Sequence, residues 1–334
     1  MRRSKLGLAS GLGLSLFGYA SLVAWARRTL VIDTPLVELR GALAGWLAEA
    51  NLNATSRFIH TPVGRVHVLV AGQGREAVVL IPGLGASAAD FADLIARLAV
   101  DHLVIGIDLP GTGLSDPVGF PGHPQGAWNQ VMTTVADHLG LTGLTLIGHS
   151  LGGLAAGAYA IAHPERVSKL VLISPVGLDR RIPLLWNLSM VPGLMHLRGL
   201  YQRSIASPPG RFRGWTSPGV QRRQAGSAGE RYRRQVSLRF GSGADLELIS
   251  RLLRPLELRP ESRLLPALGL LSGRVQLIWG DRDHRLPLQR AQRDLGYFPG
   301  LRLDVVPGAG HLLPVLEPDR TARLISDFLA APGG

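Results

Sequence analysis

From about residue 57 onward the chain alternates short, continuous apolar runs with longer stretches in which apolar residues recur at helical spacing. The apolar runs fall at Ala77–Ile81, 102–107, 145–147, 169–173, 275–279 and Leu301–Val306. Most are rich in Val, Ile and Leu without polar alternation, the signature of strands buried on both faces. Between and after them, residues 88–99, 129–139, 151–163, 290–295 and 319–329 read as helices. Strands alternating with helices predict an α/β fold with a doubly wound, mostly parallel sheet. Ahead of the first buried strand, residues 57–60 and 65–71 flank Pro62-Val63-Gly64 and read as a strand pair around a turn, where the globular body begins. Residues 35–50 read as an amphipathic helix with Leu36, Leu39, Leu43, Trp46 and Leu47 on one side. Such a helix either packs on the body or lies at a membrane interface with Trp46 as its anchor.

The N-terminus has a different pattern. Residues 6–26 carry no charge, with Arg2, Arg3 and Lys5 before them and Arg27 and Arg28 after. As a helix this stretch is long enough to cross a hydrocarbon core of about 30 Å. The expectation is a single N-terminal membrane span, with the short N-terminus inside and the body exported. The alternative is a secreted protein, cut after the A-x-A-like Ala24-Trp25-Ala26, although Arg27 directly after Ala26 disfavours cleavage there. The resulting organisation is an anchor or signal segment over 1–28, a connecting helix over 29–56, a core in two parts over 57–175 and 271–334, and an insertion over 176–270.

Composition narrows the chemistry. With 334 residues, 46% hydrophobic and 18% charged, the chain can bury a large core and is not disordered. Cysteine is absent, which excludes disulfides, thiol nucleophiles and cysteine-ligated zinc. The formal charge of +12 raises the question of nucleic acid, but sixteen arginines against six acidic residues sit in the 176–270 insertion, and the rest of the chain is nearly balanced. No basic helix or nucleic-acid motif accompanies them, so they read as a solvated or membrane-facing surface and no nucleic-acid partner is expected. The glycine-rich strings lack the lysine of a P-loop and the six-residue dinucleotide pattern, and no metal-ligand spacing occurs, so neither cofactor nor metal is expected.

The most informative stretch is Gly148-His149-Ser150-Leu151-Gly152, where a short apolar run stops at a glycine and a small-residue helix begins after the serine. Strand, tight turn and helix are the setting in which a G-x-S-x-G serine is exposed as a nucleophile, with glycines two residues either side so that neighbouring backbone can pass. A serine hydroxyl is a weak nucleophile at neutral pH. It needs a histidine to take its proton and a carboxylate to orient that imidazole. Asp281 and Asp283 both follow the strand that ends at Gly280, and residues alone leave the choice between them open.

Four segments in order, LIPGLGAS, DLPGTGLS, GHSLGG with HPERV behind it, and WGDRDHRLP with GAGH, resemble the α/β-hydrolase family over residues 57–174 and 275–329. The resemblance implies Ser150 as nucleophile, His311 of the late G-x-G-H loop as base, and Asp283 as the acid, third after Gly280 with Pro287 four further on. Asp281 is then left to cap the turn or pair with Arg282 or Arg285. It assigns the two oxyanion-binding amides to Leu84 and Leu151. One departure is Pro82-Gly83 where the family commonly has His-Gly, which removes a side chain that would support the oxyanion loop. The segment from Asp108 to Ser115 is read as a turn at the pocket rim, and the 176–270 insertion as a helical cap whose Leu184, Leu185, Trp186, Met190, Leu194 and Met195 form an acyl channel or the cap's own core. The implied protein is a membrane-associated serine esterase or lipase acting on an apolar ester, with membrane lipid as its other partner. A carbon-carbon bond hydrolase of the same fold uses the same three residues and is the alternative enzyme. A non-catalytic hydrolase-fold binding protein is the alternative outside catalysis. Epoxide hydrolases and haloalkane dehalogenases are set aside, because each would have aspartate at Ser150.

Overall fold

The structure, a computed structural model, describes residues 36–74, 76–116, 124–178, 229, 232, 264, 269–271, 273–295 and 301–331. Helix α1 (Leu36–Glu49) leads into the hairpin β1 (Ala54–Thr61) and β2 (Gly64–Ala71). Then come β3 (Ala77–Ile81), a 3-10 turn (Ala88–Phe91) continuing into α2 (Ala92–Leu98), β4 (Leu103–Ile107) and α3 (Pro124–His138). The centre of the chain is β5 (Leu144–His149), α4 (Leu151–Ala162) and β6 (Val167–Ile173). The C-terminal part supplies β7 (Val275–Gly280), α5 (Leu288–Leu295), β8 (Leu301–Val306), the short α6 (Leu313–Leu316) and α7 (Pro318–Ala330).

The eight strands form one sheet in the order β1-β2-β4-β3-β5-β6-β7-β8. β2 is antiparallel to β1 and β4, and every other neighbouring pair is parallel. The sheet is therefore mostly parallel, as the strand-helix alternation predicts. Successive residues of a strand point to opposite faces. Val79 and Ile81 pack with Trp128, Leu154 and Tyr159 on one face, and Val78 and Leu80 pack with Phe91, Leu94 and Ile325 on the other. A strand with helices on both sides has no polar face, so its sequence shows a continuous apolar run.

Two expectations are adjusted. α3 starts at Pro124 rather than near 129, since proline suits a first helical turn, where its missing N-H costs nothing. Trp46 is buried with Leu43 and Leu47 against the face that carries α2 and α7, so α1 packs on the body and Trp46 is not exposed to lipid. Among the described residues no helix is long and apolar enough to cross a membrane. The expected span over 6–26, and nearly all of the 176–270 insertion including Leu184 to Met195, lie outside them.

One contact ties the C-terminal helix to the sheet. α7 has no basic residue in its last turn, and Lys169 of β6 takes that place, its Nζ donating to the carbonyls of Phe328 (3.0 Å), Leu329 (2.8 Å) and Ala331 (2.7 Å). A cation on the free carbonyls at a helix C-terminus is favourable both as a hydrogen-bond donor and toward the helix dipole. Lys169→Met is expected to lower unfolding free energy by about 1–2 kcal/mol without changing the slope of a urea titration. An unchanged midpoint would show that these bonds are fully replaced by water.

Candidate active site

Ser150 sits between β5 and α4 with φ 53° and ψ −116°, outside the conformations that side chains favour. Such strain persists only where surrounding structure over-determines it. The Ser150 amide donates to the Ile173 carbonyl at the end of β6 (3.0 Å), and its own carbonyl accepts from Gly153 (3.0 Å) and Val176 (2.9 Å). The two flanking glycines are needed for close approach. A Cβ on Gly148 would collide with the backbone of Gly152 and Gly153, and one on Gly152 with the carbonyl oxygens of Ile81 and Pro82.

Residues far apart in the chain meet at this turn. His311 Nε2 lies 3.1 Å from Ser150 Oγ, and His311 Nδ1 lies 2.8 Å from Asp283 Oδ2. An ionised carboxylate only accepts, so Nδ1-H donates to Asp283, which leaves Nε2 to accept from the serine hydroxyl. Asp283 Oδ1 takes the amides of Arg285 and Leu286 at 2.9 Å each, so both carboxylate oxygens are held. Asp281 is exposed and caps the amide of Gly308 through Oδ1 (2.6 Å). The open choice between the two carboxylates is thus answered in space, because only Asp283 reaches the imidazole.

Burial pushes the Asp283 carboxyl up, but the hydrogen bond and charge of His311, with a smaller contribution from the Leu286 amide, hold it below its ordinary value. Burial holds the His311 imidazole below its ordinary 6.5 despite the pull of Asp283, and the charge of Arg285 adds to the lowering. The ring is therefore a free base at neutral pH.

His149, inside the pentapeptide, had no role assigned from sequence. Its Nε2 donates to the carbonyl of His311 at 2.8 Å, and the two rings lie 4.9 Å apart. Desolvation, reinforced by the charge of His311, drives its pKa to about 3, so His149 stays neutral. Its presence beside the serine was legible; its partner, 162 positions later, was not.

The Leu151 amide opens α4 and has no partner within the helix. The Leu84 amide follows Gly83, which is packed against Ser150 Cβ and the His149 ring. Neither amide is hydrogen-bonded to another described residue. Two backbone N-H groups without a described partner are the kind of donor a developing oxyanion requires. No group of three or more His, Asp or Glu side chains among the described residues could hold a metal ion.

The buried histidines predict a direction of acid sensitivity. A group whose folded pKa lies below its unfolded value binds no proton in the folded state while the unfolded chain does, so stability falls as pH drops through that interval. For His149 the interval runs from 6.5 down to about 3. Urea unfolding between about pH 6 and 4 should show stability falling with pH, and His149→Asn should reduce that slope by about 1.4 kcal/mol per pH unit. Equal slopes would mean that His149 titrates normally in the folded protein.

Comparison with known proteins bears on the fold and the family. Residues 76–318 match the model of the alpha/beta hydrolase fold family. The 2-hydroxy-6-oxononadienedioate/2-hydroxy-6-oxononatrienedioate hydrolase of Klebsiella pneumoniae subsp. pneumoniae is 26% identical over 289 residues, covering 83% of this chain and 96% of its own. Among solved structures, a bacterial membrane phospholipase A aligns with a TM-score of 0.67 at 22% identity, over 98% of both chains. The naproxen esterase of Bacillus subtilis aligns with a TM-score of 0.66 at 18% identity, over 90% of this chain and 99% of its own. The two structural likenesses bear on the fold, and the family match spans most of the sheet together with the serine turn. The chain belongs to the alpha/beta hydrolase fold family.

Proposed function

We propose that this hydrolase-fold protein is a serine hydrolase that cleaves an apolar carboxylic ester through an acyl-enzyme. The observation that carries the reading is the continuous chain Ser150 Oγ, His311, Asp283, at 3.1 and 2.8 Å. Ser150 attacks the ester carbonyl as His311 Nε2 takes its proton, and Asp283 stabilises the imidazolium so formed. The carbonyl oxygen becomes an oxyanion facing the amides of Leu84 and Leu151. His311 then returns the proton to the leaving alcohol, and a water activated by the same nitrogen releases the acid.

The name of the Klebsiella relative favours a second reading, hydrolysis of a carbon-carbon bond in a dienoate. A dianionic substrate of that kind needs cationic contacts. The described cation whose charge reaches His311 is the exposed Arg285. The sixteen arginines of the 176–270 insertion lie outside the described residues, so the need for cations does not separate the two readings, and substrate turnover does. We further propose that residues 6–26 hold the protein at a membrane, so that apolar substrate enters from lipid. The charge-free span and the arginine-rich insertion support this, since basic surface is drawn to anionic lipid at about 1 kcal/mol per nearby Lys or Arg.

Ser150→Ala is expected to abolish labelling by a fluorophosphonate and all ester turnover while preserving the melting transition. Asp283→Asn should lower kcat by orders of magnitude, with Asp281→Asn costing far less. The acid limb of the kcat/KM profile should lie below pH 6.5, following the lowered His311 pKa. Full turnover in Ser150→Ala would falsify the assignment.

The substrate and membrane proposals share one experiment. The full chain and a chain starting near Thr29 are compared on a micellar long-chain ester, a soluble short-chain ester and a dienoate. The expected result is hydrolysis of both esters, with the shortened chain losing rate mainly on the micellar one and leaving the membrane fraction. Turnover of the dienoate alone would move the assignment to carbon-carbon hydrolysis, and equal behaviour of the two chains would remove the membrane from substrate delivery.

A further inference from the structure

The oxyanion loop, Pro82 to Ser87, lacks the histidine that would brace it, yet its far end is tied down by a buried carboxylate. Asp108, at the end of β4 and fully buried, accepts the amide of Ala88 on Oδ1 (2.7 Å). Its Oδ2 accepts the amide of Leu114 (2.9 Å) and lies 2.8 Å from His67 Nδ1. His67, on β2, is also fully buried, and its Nε2 lies 2.8 Å from Ser56 Oγ. Ser115 closes the cluster: its Oγ donates to the Asp108 carbonyl (2.7 Å) and accepts the His67 amide (2.8 Å). One carboxylate therefore joins the end of the oxyanion loop, the β4 turn and the antiparallel strand β2.

We propose that Asp108 is the positioning residue of the oxyanion loop, with His67 fixing the direction of its carboxylate. The inference rests on Ser150 acting through an oxyanion held by Leu84. The loop is pinned at one end by β3 and by the contact of Gly83 with Ser150, and internally by the Ala86 amide on the Gly83 carbonyl (3.1 Å). At its other end the Ser87 amide is held by Asp90 (2.8 Å), a bond within the same turn, whereas the Ala88 bond to Asp108 crosses to another strand. That crossing bond sets where the Leu84 N-H stands relative to the serine. An oxyanion donor acts by being in place before charge develops, so a displaced loop weakens the transition state and leaves ground-state binding intact. The relay Ser56, His67, Asp108 repeats the order of the candidate triad, but Ser56 lies on an extended strand with no helix N-terminus behind it, and its part is to hold His67.

The test compares Asp108→Ala, Asp108→Asn and Ala88→Pro in the full chain, with each rate divided by the number of sites titrated by a fluorophosphonate. Asn keeps an oxygen for the Ala88 amide. Proline at 88 deletes that amide where Ser87 is extended and a helical turn begins, so the backbone accepts it. The expected result is a drop in kcat of about 10- to 100-fold for Asp108→Ala and Ala88→Pro, with KM within about threefold, and recovery of most of the rate in Asp108→Asn. The rate of fluorophosphonate labelling should fall in parallel, because phosphonylation loads the same two amides, while the pH of the acid limb stays fixed. Wild-type kcat per titrated site in Ala88→Pro, or a loss in Asp108→Ala confined to the number of active sites, would overturn the positioning role and leave the serine assignment standing. Absence of any labelling at Ser150 in the wild type would instead remove the reading on which both depend.

Discussion

The whole site depends on one close approach of backbone to backbone. The turn carrying Ser150 folds so tightly on itself that Gly148 has no room for a Cβ, and it crosses the end of β3 so closely that Gly152 has none either. At this turn the serine stands at φ 53° and α4 begins directly after it. The same close approach also presses Gly83 against Ser150, which brings the Leu84 loop alongside. Backbone packing thus places the candidate nucleophile and the start of the Leu84 loop.

The base and acid arrive from the other half of the sheet. β7 and β8 run parallel to β6, so the loops after them open at the same edge as the serine turn. Asp283 is oriented by two amides of its own loop, and His149 holds the carbonyl of His311 from beneath. A neutral His149 suits the proposed reaction, since a second imidazolium beside His311 would oppose the charge created there. Burial explains both the neutral ring of His149 and the lowered His311, and it links catalytic readiness with sensitivity of the fold to acid.

Asp108 shows how a turn with no reacting group can still serve chemistry. Its sequence neighbourhood, DLPGTGLS, reads as a bend at the rim. In space the carboxylate gathers amides from two loops and a histidine from an antiparallel strand. A buried carboxylate with both oxygens engaged is rigid, because moving it would leave desolvated partners unpaired.

Local pattern was enough to identify most strands and helices, because helices on both faces of the sheet force continuous apolar runs and the serine turn forces glycine at fixed offsets. Ser150, His311 and Asp283 could be named from motif resemblance, for the same steric and proton-transfer demands shape those segments. Residues without the resemblance leave Asp283 and Asp281 open, and the fold shows that Asp283 reaches the imidazole while Asp281 caps the Gly308 amide. Tertiary structure alone buried Trp46, turning an amphipathic pattern into packing on the body. It alone gave His149 and Asp108 their partners, which lie up to 162 positions away. Periodicity and motif spacing report what a segment demands of its neighbours in sequence, whereas hydrogen bonds across the sheet depend on which distant strands lie side by side.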